Sequence, residues 1–271
     1  MFPFLIRHGQ FVIPTFPVML MLASLSAVFY AYYKAPKKNL SQNIVLDLGI
    51  VGTVAGVVGA RLFHVLWMSP KKYWDDPVQI FHFWQGGFVS FGAIILIGLS
   101  FFIYLKIRKV DLWKYMDLMA FGFPLVVFFV RLGCLGAGCC YGKPTDFFLH
   151  LTFHDPAGDA GRRFPGVPLH ASQVYGMLNG LLLFAILNWI DRRKNFDGQI
   201  ISSFLILYGV TRGLQEFLRG DVIRGLYFGG TVSTGQILSL VSIIFGIFLY
   251  RFLSRRTHQG ASHVPIPDPA R

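Results

Sequence analysis

Glutamate occurs once in this 271-residue chain, at position 216, and charged residues of all four types make up only 14% of it. Soluble domains carry about 25%. That shortage, with a mean hydropathy of +0.54, excludes the water-soluble classes and leaves an integral membrane protein. Cysteine is nearly as scarce: Cys134, Cys139 and Cys140. Three cysteines, two of them adjacent, form no disulfide framework and lack the spacing of a zinc site, so no metal is expected and the Cys139–Cys140 pair reads as structural. No internal repeat is visible, which argues against an inverted-repeat transporter of phosphorylated solutes. Arg7 and His8 precede a full-length apolar segment with no small-residue cleavage site, so no cleavable signal peptide is expected. A Gly-x-Ser-x-Gly elbow is missing too. His170 and Ser172, two apart on a helix, therefore do not make a hydrolase pair. The net charge of +12 would suggest nucleic acid in a soluble protein. In a membrane protein it reflects the positive-inside bias, and no nucleic-acid partner is expected.

Apolar residues are abundant, at 54%, with 28 phenylalanines. Seven apolar segments approach the ~20 residues that span a bilayer: roughly 11–33, 44–67, 86–106, 115–134, 171–190, 198–218 and 233–253. More than half of the Lys and Arg fall in alternate loops, among them Lys34, Lys37, Lys38, Arg108, Arg192, Arg193, Arg255 and Arg256. The expected fold is an all-α membrane protein of seven transmembrane helices, N-terminus outside and C-terminus cytoplasmic. One transmembrane domain over 1–254 would carry an outer head loop at 143–169, with a disordered tail at 255–271.

The chemistry centres on the apolar run ending at Val130, which leads directly into Arg131. Glycines follow at 133, 136, 138 and 142, and no acidic residue stands between Arg131 and Gly142. Charge inside a span costs at least a few kcal/mol. Such an arginine needs a partner, a watery cavity or an anionic ligand, and glycines allow close backbone approach. A second signal lies in the sixth segment. Tyr208, Arg212, Glu216 and Arg219 follow i, i+4, i+8, i+11, one helical stripe that stays net positive and suits a phosphate. An Arg212–Glu216 pair that neutralises itself is the blander alternative. Gly52, Gly56 and Gly59 form a small-residue ridge, with Arg61 and His64 just beyond it. Trp74 and Trp84 read as interfacial anchors. Gly86 and Gly87 open the third segment as an anion cradle or a turn. Gln173 stands beside His170 at the start of the fifth segment, and Gly235-Gln236 opens the seventh.

Six blocks, in order across nearly the whole chain, resemble the prolipoprotein diacylglyceryl transferase family. They are Gly59-Ala-Arg61, Trp84-Gln-Gly-Gly87, Arg131-Leu-Gly-Cys134 with Gly138 and Gly142, His170 to Tyr175, Tyr208 to Arg219, and Gly235-Gln-Ile-Leu-Ser239. The resemblance implies an enzyme of the bacterial cytoplasmic membrane. It would move the diacylglyceryl group of phosphatidylglycerol to the lipobox cysteine thiol of a prolipoprotein and release glycerol phosphate, without cofactor or metal. It implies Arg131, Arg212, Glu216 and Tyr208 as catalytic residues. Arg131, Arg212, Gly142, Arg61, Arg219, Gly86, Gly87 and Gln173 would bind phosphatidylglycerol. The chain departs from the family pattern at four places. Cys134 stands for an asparagine, Cys139 for an acidic residue, Phe91 for a histidine and Phe16 for a tyrosine. The alternative is a divergent, non-catalytic relative that binds anionic lipid or a lipoprotein precursor.

Overall fold

The structure, a computed structural model, describes residues 2–8, 11–82, 87–220, 225–227 and 231–261. Trp84 and Gly86 lie outside the described residues. Among the described residues, five helices are long and apolar enough to cross a membrane: Thr15–Lys34, Gln42–Met68, Leu112–Ala137, Ser172–Asp191 and Thr234–Arg256. The chain is thus a mostly helical, multi-pass membrane protein. Two further helices, Ser90–Ile107 and Gln199–Glu216, stand where the other two expected segments lie. The latter carries Gln199, Ser202, Ser203, Thr211, Arg212, Gln215 and Glu216, polar groups that dilute its hydropathy.

The first expected segment begins at 11, but the structure forms a hairpin there. Strand β1 (Phe4–His8) pairs antiparallel with β2 (Phe11–Pro14), and helix α1 starts only at Thr15 and runs to Lys34. Val12 and Ile13 are β-branched and favour extended backbone. Pro17 falls in the first helical turn, where its missing N–H has no intrahelical acceptor to lose.

The chain forms two compact units, Ala31–Met116 and Met1–Tyr30 with Asp117–Arg271. In the first unit, α2 (Gln42–Phe63) packs antiparallel on α4 (Ser90–Ile107), with the short α3 (Pro70–Asp75) between them in sequence. The glycine ridge carries this contact: Gly52 faces Phe101, Gly56 faces Ile97, and Gly59 meets Gly92. A Cβ built on Gly59 would fall 2.4 Å from the Gly92 carbonyl oxygen, and one on Gly92 would fall 2.1 Å from that of Gly59. Only hydrogen at both positions permits this approach.

The second unit contains most of α1, α6 (Gly122–Ala137), α8 (Ser172–Asp191), α9 (Gln199–Glu216) and α10 (Thr234–Ala261). Small residues again set the distances. Gly122 faces Ala27, Gly136 faces Thr15, Gly180 faces the Pro124 carbonyl, and Gly209 faces Ile243. Helix α10 continues past Arg255, where the tail was expected to begin, as far as Ala261. The excursion at 143–169 carries a small core of its own, made by Tyr141, Phe153, Ala160 and Leu169. Strand β3 (His150–Leu151) pairs there with β4 (Leu169–His170), and α7 (Asp159–Arg163) lies between them in sequence.

Asp117, in α5 (Leu112–Ala120), is 3% exposed and anchors the start of α9. Its carboxylate accepts N–H bonds from Gly198 at 2.8 Å and Ile201 at 2.9 Å, and Lys194 Nζ approaches at 2.9 Å. An anion at a helix N-terminus satisfies orphan donors and complements the helix dipole. Burial works against the Lys194 charge, but Asp117 and Asp197 more than offset it and raise its titration above the ordinary lysine value. That stabilisation is complete below the ordinary lysine range and is lost as pH rises through the shifted value.

Two stability tests follow from these contacts. Gly92→Ala should destabilise the protein by about 1–3 kcal/mol through overpacking. Gly98→Ala on the same helix, where a Cβ meets nothing within 4 Å, should be neutral or stabilising. Asp117→Asn should cost about 1–3 kcal/mol, because it leaves buried donors poorly satisfied. Thermal unfolding in detergent measures both, and equal effects of the two glycine substitutions would refute the packing account.

Candidate functional site

The site grows from one steric concession. Arg131, on α6, lays its side chain across Gly176 of α8: a Cβ there would fall 2.7 Å from Arg131 Cγ and 2.8 Å from its Nε. Arg131 lines a small cleft together with Ser172, Tyr175, Gln215 and Arg219. No carboxylate among the described residues pairs with Arg131.

The second wall comes from α9. Glu216 is 2% exposed, Arg212 pairs with it from one turn back, and Arg219 Nη1 approaches the same oxygen at 3.7 Å. The stripe expected over 208–219 is thus helical only to Glu216. Arg219 has left the helix and is held by a bridge to Gly142. It reaches Glu216 through the turn, so the charge cluster survives the loss of helical periodicity. Helix α10 closes the cluster. A Cβ on Gly235 would fall 2.7 Å from Glu216 Oε2 and 3.1 Å from Arg212 Nη2. Its neighbours cap the helix reciprocally: Ser233 N–H donates to Gln236 Oε1 at 2.9 Å, and Gln236 N–H donates to Ser233 Oγ at 3.2 Å. Tyr208 stacks on Phe204, which stacks on Phe123 of α6 at 5.2 Å.

Gly142 is a backbone crossing point. Its N–H donates to the His170 carbonyl at 3.2 Å, and a Cβ would fall 2.4 Å from His170 Cβ. Lys143 N–H bonds the Leu218 carbonyl and Gly220 N–H that of Tyr141. Three chain segments meet there, and Arg219 takes its place from that junction. Gln173 is fully buried and donates from Nε2 to the Cys139 carbonyl at 2.8 Å. Ser172 Oγ donates to the Cys140 carbonyl at 2.5 Å, so it forms no dyad with His170.

Arg61 lies in the other unit. It is 4% exposed and donates from Nε to the Ile80 carbonyl at 3.0 Å. Its two Nη atoms donate to the carbonyls of Gln79, His82 and Gly87. It ties Gln79, Ile80, His82 and Gly87 together through their carbonyls. Gly87 sits at φ +79° against Arg61 Nη1, backbone that glycine enters without steric cost. Phe91 opens a helix of that same unit. Phe16 packs on Gly133.

The sequence reading did not single out Tyr175, Gln215 or Gly176 as site residues. Tyr175 ends one of the six family-like blocks, and Gln215 adjoins Glu216. For Gly176 there was no signal, since only the fold shows that Arg131 lies over it.

The family model for prolipoprotein diacylglyceryl transferase matches residues 3–252. A phosphatidylglycerol–prolipoprotein diacylglyceryl transferase of Clostridium tetani is 34% identical over 86% of this chain and 90% of its own length. One of Bordetella bronchiseptica is 34% identical over 77% and 78%. One of Vibrio atlanticus is 31% identical over 94% and 92%.

The charge cluster makes its own prediction. Glu216→Gln keeps the shape but leaves Arg212 and Arg219 close together without their anion. Breaking a buried pair costs about 3–5 kcal/mol. Thermal unfolding should report a loss of that order, and an unchanged transition would show that the cluster is not held by charge.

Proposed function

The chain belongs to the prolipoprotein diacylglyceryl transferase family, and we propose that it transfers the sn-1,2-diacylglyceryl group of phosphatidylglycerol to the lipobox cysteine thiol of a prolipoprotein. The bacterial cytoplasmic membrane is the setting, with the 143–169 head and the Arg131 cleft on its outer side. The single observation that carries the reading is the cleft lined by Arg131 and Arg219 at the end of a membrane helix pair. Two guanidiniums there suit a phosphodiester, because each offers a planar fork to its oxygens.

In the reaction the thiolate sulfur attacks the diacylglyceryl carbon bonded to the phosphate oxygen. A carbon–sulfur bond forms, that carbon–oxygen bond breaks with its electrons going to oxygen, and glycerol phosphate departs. The thiol proton passes to water or to the departing phosphate, which balances the step. Negative charge grows on the phosphate as the bond breaks, so arginines fixed on it bind the transition state more tightly than the lipid. Glu216 holds Arg212 and Arg219 in register, Tyr208 is braced by its aromatic stack, and Gly142 and Gln173 position the backbone under the site. Arg212 shares the Glu216 carboxylate with Arg219 and reinforces the positive potential. The apolar helices keep the acyl chains in the bilayer, and no cofactor is invoked.

Replacing Arg131 by Lys should lower kcat for labelled-lipid transfer to a lipobox peptide by about 10²–10³. Arg212→Lys and Arg219→Lys should also lower it, since ammonium cannot reproduce the fork. Near-normal rates in Arg131→Lys and Arg219→Lys would defeat the clamp. Absence of transfer by the unmodified, correctly folded protein would favour a non-catalytic relative.

A further inference from the structure

The fold assembles the three cysteines that the spacing left unrelated. Cys134 sits in the last turn of α6, and Gly138 ends that helix in the left-handed conformation, at φ +64°. Gly138 N–H returns to the Leu135 carbonyl and Cys139 N–H to the Cys134 carbonyl at 3.1 Å. This left-handed cap brings the side chains of its first and last residues, Cys134 and Cys139, against each other. Cys140 then adopts φ +57°, left-handed backbone that a residue with a Cβ enters only when its surroundings impose it. The imposing groups are Ser172 and Gln173, which hold the Cys140 and Cys139 carbonyls from α8. The result is three sulfurs that all lie within 4.8 Å of one another, with Cys134 buried and the other two partly buried.

We propose that Cys134, Cys139 and Cys140 form a three-thiolate site for a thiophilic closed-shell cation, Zn²⁺ or Cu⁺. Thiolates select such ions over hard cations. Zinc lies about 2.3 Å from each sulfur, which places the sulfurs about 4 Å apart, a small closure from the present triangle. Binding displaces the thiol protons and leaves the cluster net negative. Arg131 and Arg219 line the cleft shared with Ser172, whose hydroxyl holds the Cys140 carbonyl, and their positive charge offsets that of the cluster. The ion would tie the end of α6 to the turn on which Ser172 and Gln173 rest, and so brace the floor of the arginine cleft. This site goes beyond the transfer reaction and does not depend on it.

The test uses the full-length protein in detergent, reduced and then freed of reductant. Zn²⁺, Cu⁺ held by a competing chelator, and Co²⁺ as a spectroscopic stand-in are titrated separately, and thiols are counted by maleimide labelling with mass spectrometry. The expected result is one ion per chain, protection of all three thiols together, and sulfur-to-cobalt charge-transfer absorption. Affinity should rise with pH. Cys134→Ser, Cys139→Ser and Cys140→Ser should each weaken it by at least about 10–100-fold, the range seen for lesser metal-site changes. Protection in the unmodified chain requires no substitution, so a variant that misfolds leaves the answer intact. Labelling of the three thiols that ignores the ion would overturn the proposal. So would a disulfide among them in protein quenched directly from membranes.

Discussion

One buried carboxylate organises the second unit. Glu216 lies between Arg212 and Arg219 with almost no solvent access, where an unpaired charge of either sign would be prohibitive. Every element around it is arranged to keep the three together. Helix α9 supplies Arg212 one turn away. The bridge between Gly142 and Arg219 brings the second guanidinium back after the helix has ended. Helix α10 approaches with a glycine, since any side chain at 235 would occupy the space of Glu216 Oε2. The carboxylate thereby spends its charge on structure, and the cleft beyond it stays positive because Arg131 has no such partner among the described residues.

Glycine is the means by which charge is admitted at all. Gly176 and Gly235 each leave a Cβ-sized space that an arginine or its counter-ion fills. The ridge formed by Gly59 and Gly92 uses the same concession for backbone against backbone. In lipid, helices gain little from burying apolar side chains against each other, so close contact and satisfied polar groups carry the association. The polar residues of α9, which lower its hydropathy below that of a typical span, are the ones the bundle needs inside: Ser202 and Ser203 are buried on it, and Gln215 lines the cleft.

Reading from residues reached much of this. The Gly52, Gly56, Gly59 ridge was legible because its spacing repeats every turn, and the structure sets it against Phe101, Ile97 and Gly92. The Arg212–Glu216 relation was legible for the same reason. Arg61 was legible only in part: spacing puts an arginine near the end of its helix, while the carbonyls of Gln79, Ile80, His82 and Gly87 that meet its donors belong to residues outside that helix. The first segment was placed too early because hydropathy cannot separate a β-branched apolar strand from a helix start.

By itself the sequence determined what is local and periodic. It showed that the chain is membrane-borne, where its apolar segments run, that Arg131 and Glu216 carry charge into them, and which family its ordered blocks resemble. Those properties follow from composition and from spacing along one helix. Tertiary structure alone decided what each charge meets. Gly176 makes room for Arg131 from another helix, and Gly142 sets Arg219 through a three-segment crossing. Cys134 meets Cys139 and Cys140 only because a left-handed cap reverses the chain. Such encounters join residues far apart in sequence or on opposite sides of a turn, and no periodicity in the chain encodes the distances between them.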